Sequence, residues 1–155
     1  MSEFHFPEGH PLVDKKILAI DWGSKFIGLA TFHIGRDPFP LAWGRLPGGA
    51  FETVWQKLKP VLDDEVIDMV VVGVPFLTDG KVGSSTLKTR EFLTQLSGVC
   101  ALPLQEQDET LSTFEAEERM KKSPRWNFQV DLSEIDAVSA TIILEDFLRR
   151  QKSLI

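Results

Sequence analysis

The segment Ile67-Asp68-Met69-Val70-Val71-Val72-Gly73-Val74 constrains this chain more than any other. It is apolar at nearly every position, not at alternate ones. That is the pattern of a strand buried on both faces, the kind found inside parallel sheets with helices on either side. Ile17-Leu18-Ala19-Ile20 repeats the pattern and ends on Asp21.

The remaining segments fit around these two strands. A turn at 22–25 leads to a second strand over 27–34, and a turn at 35–38 to a third over 39–46. Such tight spacing predicts an antiparallel meander. Pro47-Gly48-Gly49 breaks the chain, and Val54, Leu58 and Leu62 then recur at helical spacing over 50–63. A loop over 75–84 precedes a helix at 85–97, with Ser84-Ser85 as its cap. Residues 102–108 form a fifth strand. Ser112 opens a helix with capping-box spacing to Glu115. A loop over 121–132 leads to a last helix from about Ser133 to Arg150. The prediction is an α/β fold: a five-stranded mixed sheet, with a three-strand antiparallel meander, two parallel strands and helices on both faces. The chain reads as one domain over 1–155, with polar residues 1–15 as a tail that lies along the surface or is disordered.

Composition narrows the functional classes. No apolar run approaches the roughly 18 residues that a membrane span needs. The first residues lack the basic start and apolar stretch of a signal peptide, and Cys100 is the single cysteine. A reducing cytoplasm is therefore expected. The net charge of −6 argues against a large basic footprint. It is compatible with acids clustered for metal binding, because bound cations reverse the local field.

Three acidic positions stand where chemistry is plausible. Asp21 ends a buried strand, and Gly23 and Gly28 beside it leave backbone room for a ligand. The competing reading is an acid that starts a turn. Asp108 and Glu109 end the fifth strand, on the same side of the sheet as Asp21 if that strand is parallel. Alternation allows only one of them to join it: Glu106 and Asp108 share one face, Gln107 and Glu109 the other. Asp136 sits in the first turn of the last helix, where Ser133 and Asp136 have capping-box spacing. Small Ala137 and Ala140 would let that helix approach the sheet closely. Acids converging from separate elements suit hard cations such as Mg²⁺ or Mn²⁺. Two such ions roughly 3.5–4 Å apart activate water and stabilise the leaving oxygen of a phosphodiester. Lys25, Lys81, Lys88 and Arg90 lie on segments within reach of the same crevice and are the candidate phosphate contacts.

These residues also fall into blocks. Asp21-Trp22-Gly23-Ser24-Lys25-Phe26-Ile27-Gly28 resembles the D-x-G-x-K-x-I-G opening of the YqgF family, also called RuvX. Val71-Val72-Gly73-Val74-Pro75 with Asp79-Gly80 resembles its V-V-G-x-P…D-G segment. Asp108-Glu109 with Ser112-Thr113-Phe114-Glu115-Ala116 resembles its acid-pair segment, and Asp136-Ala137 with Ile142-Ile143-Leu144 its last helix. The resemblance implies an RNase H-like fold and a cytoplasmic nuclease for structured RNA or branched DNA. The activity implied is maturation of the 5′ end of pre-16S rRNA or resolution of Holliday junctions, by a monomer or homodimer. It places Asp21, Glu109 and Asp136 at the metal-binding acid positions, with Asp108 as alternate for the middle one. Many RNase H-like enzymes carry an acid at the end of the fourth strand. Here Val74-Pro75 stands there, so the fifth-strand acids must substitute. Phe26 and Thr110 stand where the family often has arginine, and Asp131 and Glu134 stand where lysine is common. These departures remove positive charge, and phosphate contacts supply much of nucleic-acid affinity. Two other readings compete: a binding module with a weakened site, and an actin-like ATPase or phosphotransferase, whose phosphate turn resembles Asp21 to Lys25.

Overall fold

The computed structural model describes residues 3–109 and 112–153. Its elements are β1 (Lys16–Asp21), β2 (Phe26–His33), β3 (Leu41–Pro47), α1 (Phe51–Asp64), β4 (Met69–Val74), α2 (Ser84–Ser97), β5 (Leu104–Asp108), α3 (Ser112–Lys121), a 3₁₀ turn at Pro124–Trp126 and α4 (Ile135–Ser153). The sheet order is β3-β2-β1-β4-β5. β1, β2 and β3 form the antiparallel meander. β4 runs parallel to β1, and β5 parallel to β4. This is the mixed five-stranded sheet that the apolar runs predict.

Alternation along the central strands builds two cores. Leu18, Ile20, Val70 and Val72 face Val54 and Leu58 of α1 and Phe92 and Leu96 of α2. Ile17, Ala19 and Val71 point the other way, with Ala30 and Phe32 of β2, against Ala140, Ile143, Leu144 and Phe147 of α4. Each of the Val, Leu, Ile and Phe side chains, fully buried, contributes roughly 1.5–3 kcal/mol. α4 is apolar nearly all round because it has a second neighbour: Val138 and Ile142 pack on Ala116 and Met120 of α3.

Several expectations are corrected. The first residues do not trail away. Phe4 and Phe6 are 6% and 4% exposed. Phe4 meets Phe32 edge to face at 6.0 Å, and Arg149 covers Phe4 while binding Glu3 at 2.8 Å. The helix caps also differ. α2 starts after Gly83, not on a serine cap; the Thr86 hydroxyl accepts from the Gly83 N–H and donates to the Pro75 carbonyl. Ser112, at the start of α3, donates its hydroxyl back to Glu109. Ser133 gives both its N–H and its hydroxyl to Asp131, so Asp136 has no capping partner there. Thr110 lies outside the described residues. Among those described, no helix is long and apolar enough to cross a membrane.

Candidate active site

Asp21 is the last residue of β1. Ile17 and Ala19 face α4, so alternation turns Asp21 the same way. On β4 the matching position is Gly73, two residues after Val71. On β5, Glu106 faces α2, where Arg90 holds it at 3.1 Å. Asp108 therefore follows Glu106 away from Asp21. Glu109 lies one residue past β5, yet its N–H still donates to the Val74 carbonyl at 3.1 Å. The ladder thus extends by one step and turns Glu109 towards the α4 side. Gly73 clears its path: a Cβ there would stand 2.9 Å from Glu109 Cγ and 2.4 Å from Ile143 Cδ1.

Asp136 arrives by a second close approach. Gly28 pairs directly with Asp21 across the β1–β2 ladder, so both present the same face. A Cβ on Gly28 would lie 1.9 Å from the carbonyl oxygen of Asp136 and 3.0 Å from the Ala137 nitrogen. The bare backbone of β2 is the seat on which the first turn of α4 rests. The room that Gly28 leaves is filled by this helix, not by a ligand. At Gly23 a Cβ would stand 2.6 Å from the Phe26 carbonyl oxygen, so that glycine serves the turn. Asp21, Glu109 and Asp136 come together on one cleft of about 470 Å³.

Their charges are poorly compensated. Burial pushes the Asp21 carboxyl well above its ordinary pKa, and neighbouring Glu109 and Asp136 push it further. Burial also raises Glu109; the Ser112 hydroxyl, which donates to Glu109 Oε2, opposes this, and Asp108 adds to it. Burial raises Asp136 against the pull of Arg45. Arg45 pairs with Gly28 on β3. Its guanidinium lies 3.7 Å above the centre of the Phe26 ring and 3.8 Å from Asp136 Oδ2, and donates to the Leu132 carbonyl. Phe26, read as a lost arginine, is thus the platform for one supplied by the next strand.

Of the four candidate basic residues, only Lys88 lines the cleft. Lys25 is exposed on the β1–β2 turn. The Lys81 ammonium lies 4.0 Å from Asp79. Arg90 is engaged with Glu106 and packs 5.3 Å from the centre of the Phe76 ring. Arg45 has no part in the sequence pattern, and Ser112 and Gly73 enter it as a helix cap and a strand glycine, with no role beside the acids. Arg45 would have been found from the β2–β3 register, in which it falls opposite Gly28. Among the described residues, no three His, Cys, Asp or Glu side chains converge tightly enough to hold one ion in this conformation. Glu109 accepts from the Ser112 hydroxyl, and Asp136 faces Arg45 at 3.8 Å. The donor set nonetheless fits a hard cation: all its oxygens are carboxylate, and the half-buried acids raise one another's pKa.

A mixed sheet in this strand order, with acids at the ends of β1 and β5 and at the start of α4, defines an RNase H-like fold. Solved structures of that class superimpose on the chain. A Thermus thermophilus RuvC covers 87% of it and is itself covered over 96%, with TM-score 0.54 and 11% identity. The yeast mitochondrial Holliday junction resolvase Ydc2 covers 95%, with 83% of its own length matched, TM-score 0.58 and 13% identity. Closer relatives share sequence. Proteins of Pectobacterium atrosepticum and Yersinia enterocolitica, each named "Putative pre-16S rRNA nuclease", are 36% and 34% identical over 141 and 142 residues. These alignments span 89% and 90% of this chain and 98% and 99% of the relatives. Residues 15–150 match the family described as "RuvX: Holliday junction resolvase". The chain belongs to the RuvX family.

Proposed function

We propose that the chain is a metal-dependent endonuclease that hydrolyses phosphodiester bonds in structured nucleic acid, with maturation of the 5′ end of pre-16S rRNA as its task. The observation that carries this is the convergence of Asp21, Glu109 and Asp136, from three elements, on one cleft of about 470 Å³. The RNA assignment rests on relatives about a third identical over nearly their full length. A second reading, cleavage of four-way DNA junctions, is favoured by the family's description.

Asp21, Glu109 and Asp136 would hold Mg²⁺ or Mn²⁺, which when bound activates water and stabilises the leaving oxygen. Asp21 is the member set on the sheet itself, half-buried at the end of β1. Glu109 and Asp136 stand ready on Ser112 and Arg45, each partner keeping an excess charge in place until it is needed. Lys88, on the rim, and Arg45, on Phe26, meet the phosphates. In the reaction the water oxygen bonds to phosphorus, the bond from phosphorus to the bridging oxygen breaks, and that oxygen takes up a proton.

The test pairs two substrates, an RNA spanning the 5′ end of 16S rRNA and a four-way DNA junction, with Mg²⁺ or Mn²⁺. Asp21→Asn and Glu109→Gln should abolish cleavage and the rise in melting temperature on adding Mn²⁺. Asp108→Asn should keep activity within about twofold, as an exposed change does. Full activity in Asp21→Asn would overturn the assignment, and ATP hydrolysis without nucleic-acid cleavage would replace it.

A further inference from the structure

The molecule carries an aromatic surface that hydrolysis does not use. Trp22 follows Asp21 and continues the opposite row, packing with Leu18 and Ile20 on the α1–α2 side. Its ring is partly exposed and stands 6.2 Å from Phe92; Phe51 approaches Phe92 at 5.9 Å. Trp22 and Lys88 line both the acid cleft and an adjoining hollow of about 160 Å³. Phe51 and Gln95 wall that hollow and also border a third, of about 480 Å³, between α1 and α2. The concave surface therefore runs from the acids, past Trp22, onto the helices with shared walls throughout.

The chemistry of this trench suits a base better than a backbone. Its floor is aromatic, and its cation, Lys88, stands at the end nearest the acids. Glu91 and Gln95 edge the hollow. Glu91 would repel a phosphate, but its carboxylate accepts from a base amino group, and an amide both donates and accepts. A paired base stacked in a helix presents no free face to Trp22, whereas an unpaired base does.

We propose that the trench is a subsite for an unpaired nucleotide next to the bond that is cut. Its base stacks on Trp22, its phosphate meets Lys88 and its edge meets Glu91 and Gln95. This deepens the nuclease reading and rests on it: the preferred substrate joins a duplex to a single strand, and cleavage falls near that junction. RNA and DNA share the recognised group.

The test uses the full chain in the Glu109→Gln background, so that substrate stays uncut. Trp43, Trp55 and Trp126 are changed to Phe, leaving Trp22 as the fluorophore. Blunt duplexes are compared with the same duplexes bearing a short unpaired tail, as RNA and as DNA. Tailed duplexes should bind about tenfold more tightly than blunt ones and quench Trp22. Trp22→Ala should erase the advantage of the tail, and Trp22→Phe should keep it. Equal binding of tailed and blunt duplexes, an advantage that survives Trp22→Ala, or no binding at all overturns the proposal. A preference held by RNA tails alone assigns the subsite to RNA, and by DNA tails alone to DNA. The nuclease reading is judged separately, on cutting of either duplex by the unmodified chain.

Discussion

Replacing Gly28 with alanine tests the construction of the cleft without touching an acid. The added methyl would sit 1.9 Å from the Asp136 carbonyl oxygen, where ordinary contact begins near 3.4 Å. Relief requires α4 or β2 to move by about 1.5 Å, and both are backbone packed into the core, so neither yields as a flexible side chain would. Overpacking of this kind costs about 3 kcal/mol, or roughly 6–12 °C of melting temperature in a chain of this size. Displacing a catalytic group by about an ångström costs on the order of a hundredfold in rate. Cleavage should therefore fall about a hundredfold in protein that is still folded at 25 °C. Thermal melting and single-turnover cleavage read the two effects. Gly98→Ala is the control: its Cβ would meet Gln95 at 3.4 Å with φ at −75°, and it should melt no lower than the parent. Wild-type melting and wild-type cleavage in Gly28→Ala would show that α4 does not rest on β2 and that Asp136 is not positioned by that contact.

Two further perturbations probe the surroundings. Ser112→Ala removes the donor that holds the Glu109 carboxyl down, so its pKa should climb further and the acidic limb of the pH–rate profile should move to higher pH. An acid raised on folding adds stability at pH below its unfolded pKa and loses it as pH rises through the folded value. In metal-free protein the stability loss on raising pH should therefore extend to higher pH in this variant, as denaturant melts at several pH values would show. An unmoved profile would mean that Ser112 does not engage Glu109 in solution. Phe4→Ala should cost about 3–5 kcal/mol, because the ring is buried against Phe32. Unchanged melting would return the first residues to the status of a tail.

Much of this architecture is legible from residue order because its two central strands are apolar throughout and end where the chain must turn. Asp21 could be singled out for the same reason. The choice between Asp108 and Glu109 was not legible, since it depends on one ladder hydrogen bond, Glu109 to Val74, that carries the alternation past the end of the strand. Arg45 was hidden by β3 itself. The β2–β3 register shifts between Leu29 and Ala30, so the pairing of Arg45 with Gly28 cannot be counted forward from the turn. Phe4 and Phe6 stand alone among polar residues and show no period, so only the groove beside Phe32 reveals their burial. Ser112 and Ser133 have capping-box spacings and Ser84 stands before a helical run, but nearby partners (Glu109, Asp131 and Thr86) decide what is bonded.

Gly73 has a consequence for how such sites are recognised. It supplies no oxygen, no charge and no proton, yet the Glu109 side chain crosses the sheet over its bare backbone. A relative with alanine there would keep every carboxylate and pass any check of acidic signatures. Its glutamate would nevertheless have to take another route, and the arrangement of charges would no longer be this one. Inventories of acids alone will overcount competent enzymes, and the empty space beneath the side chain belongs in the signature.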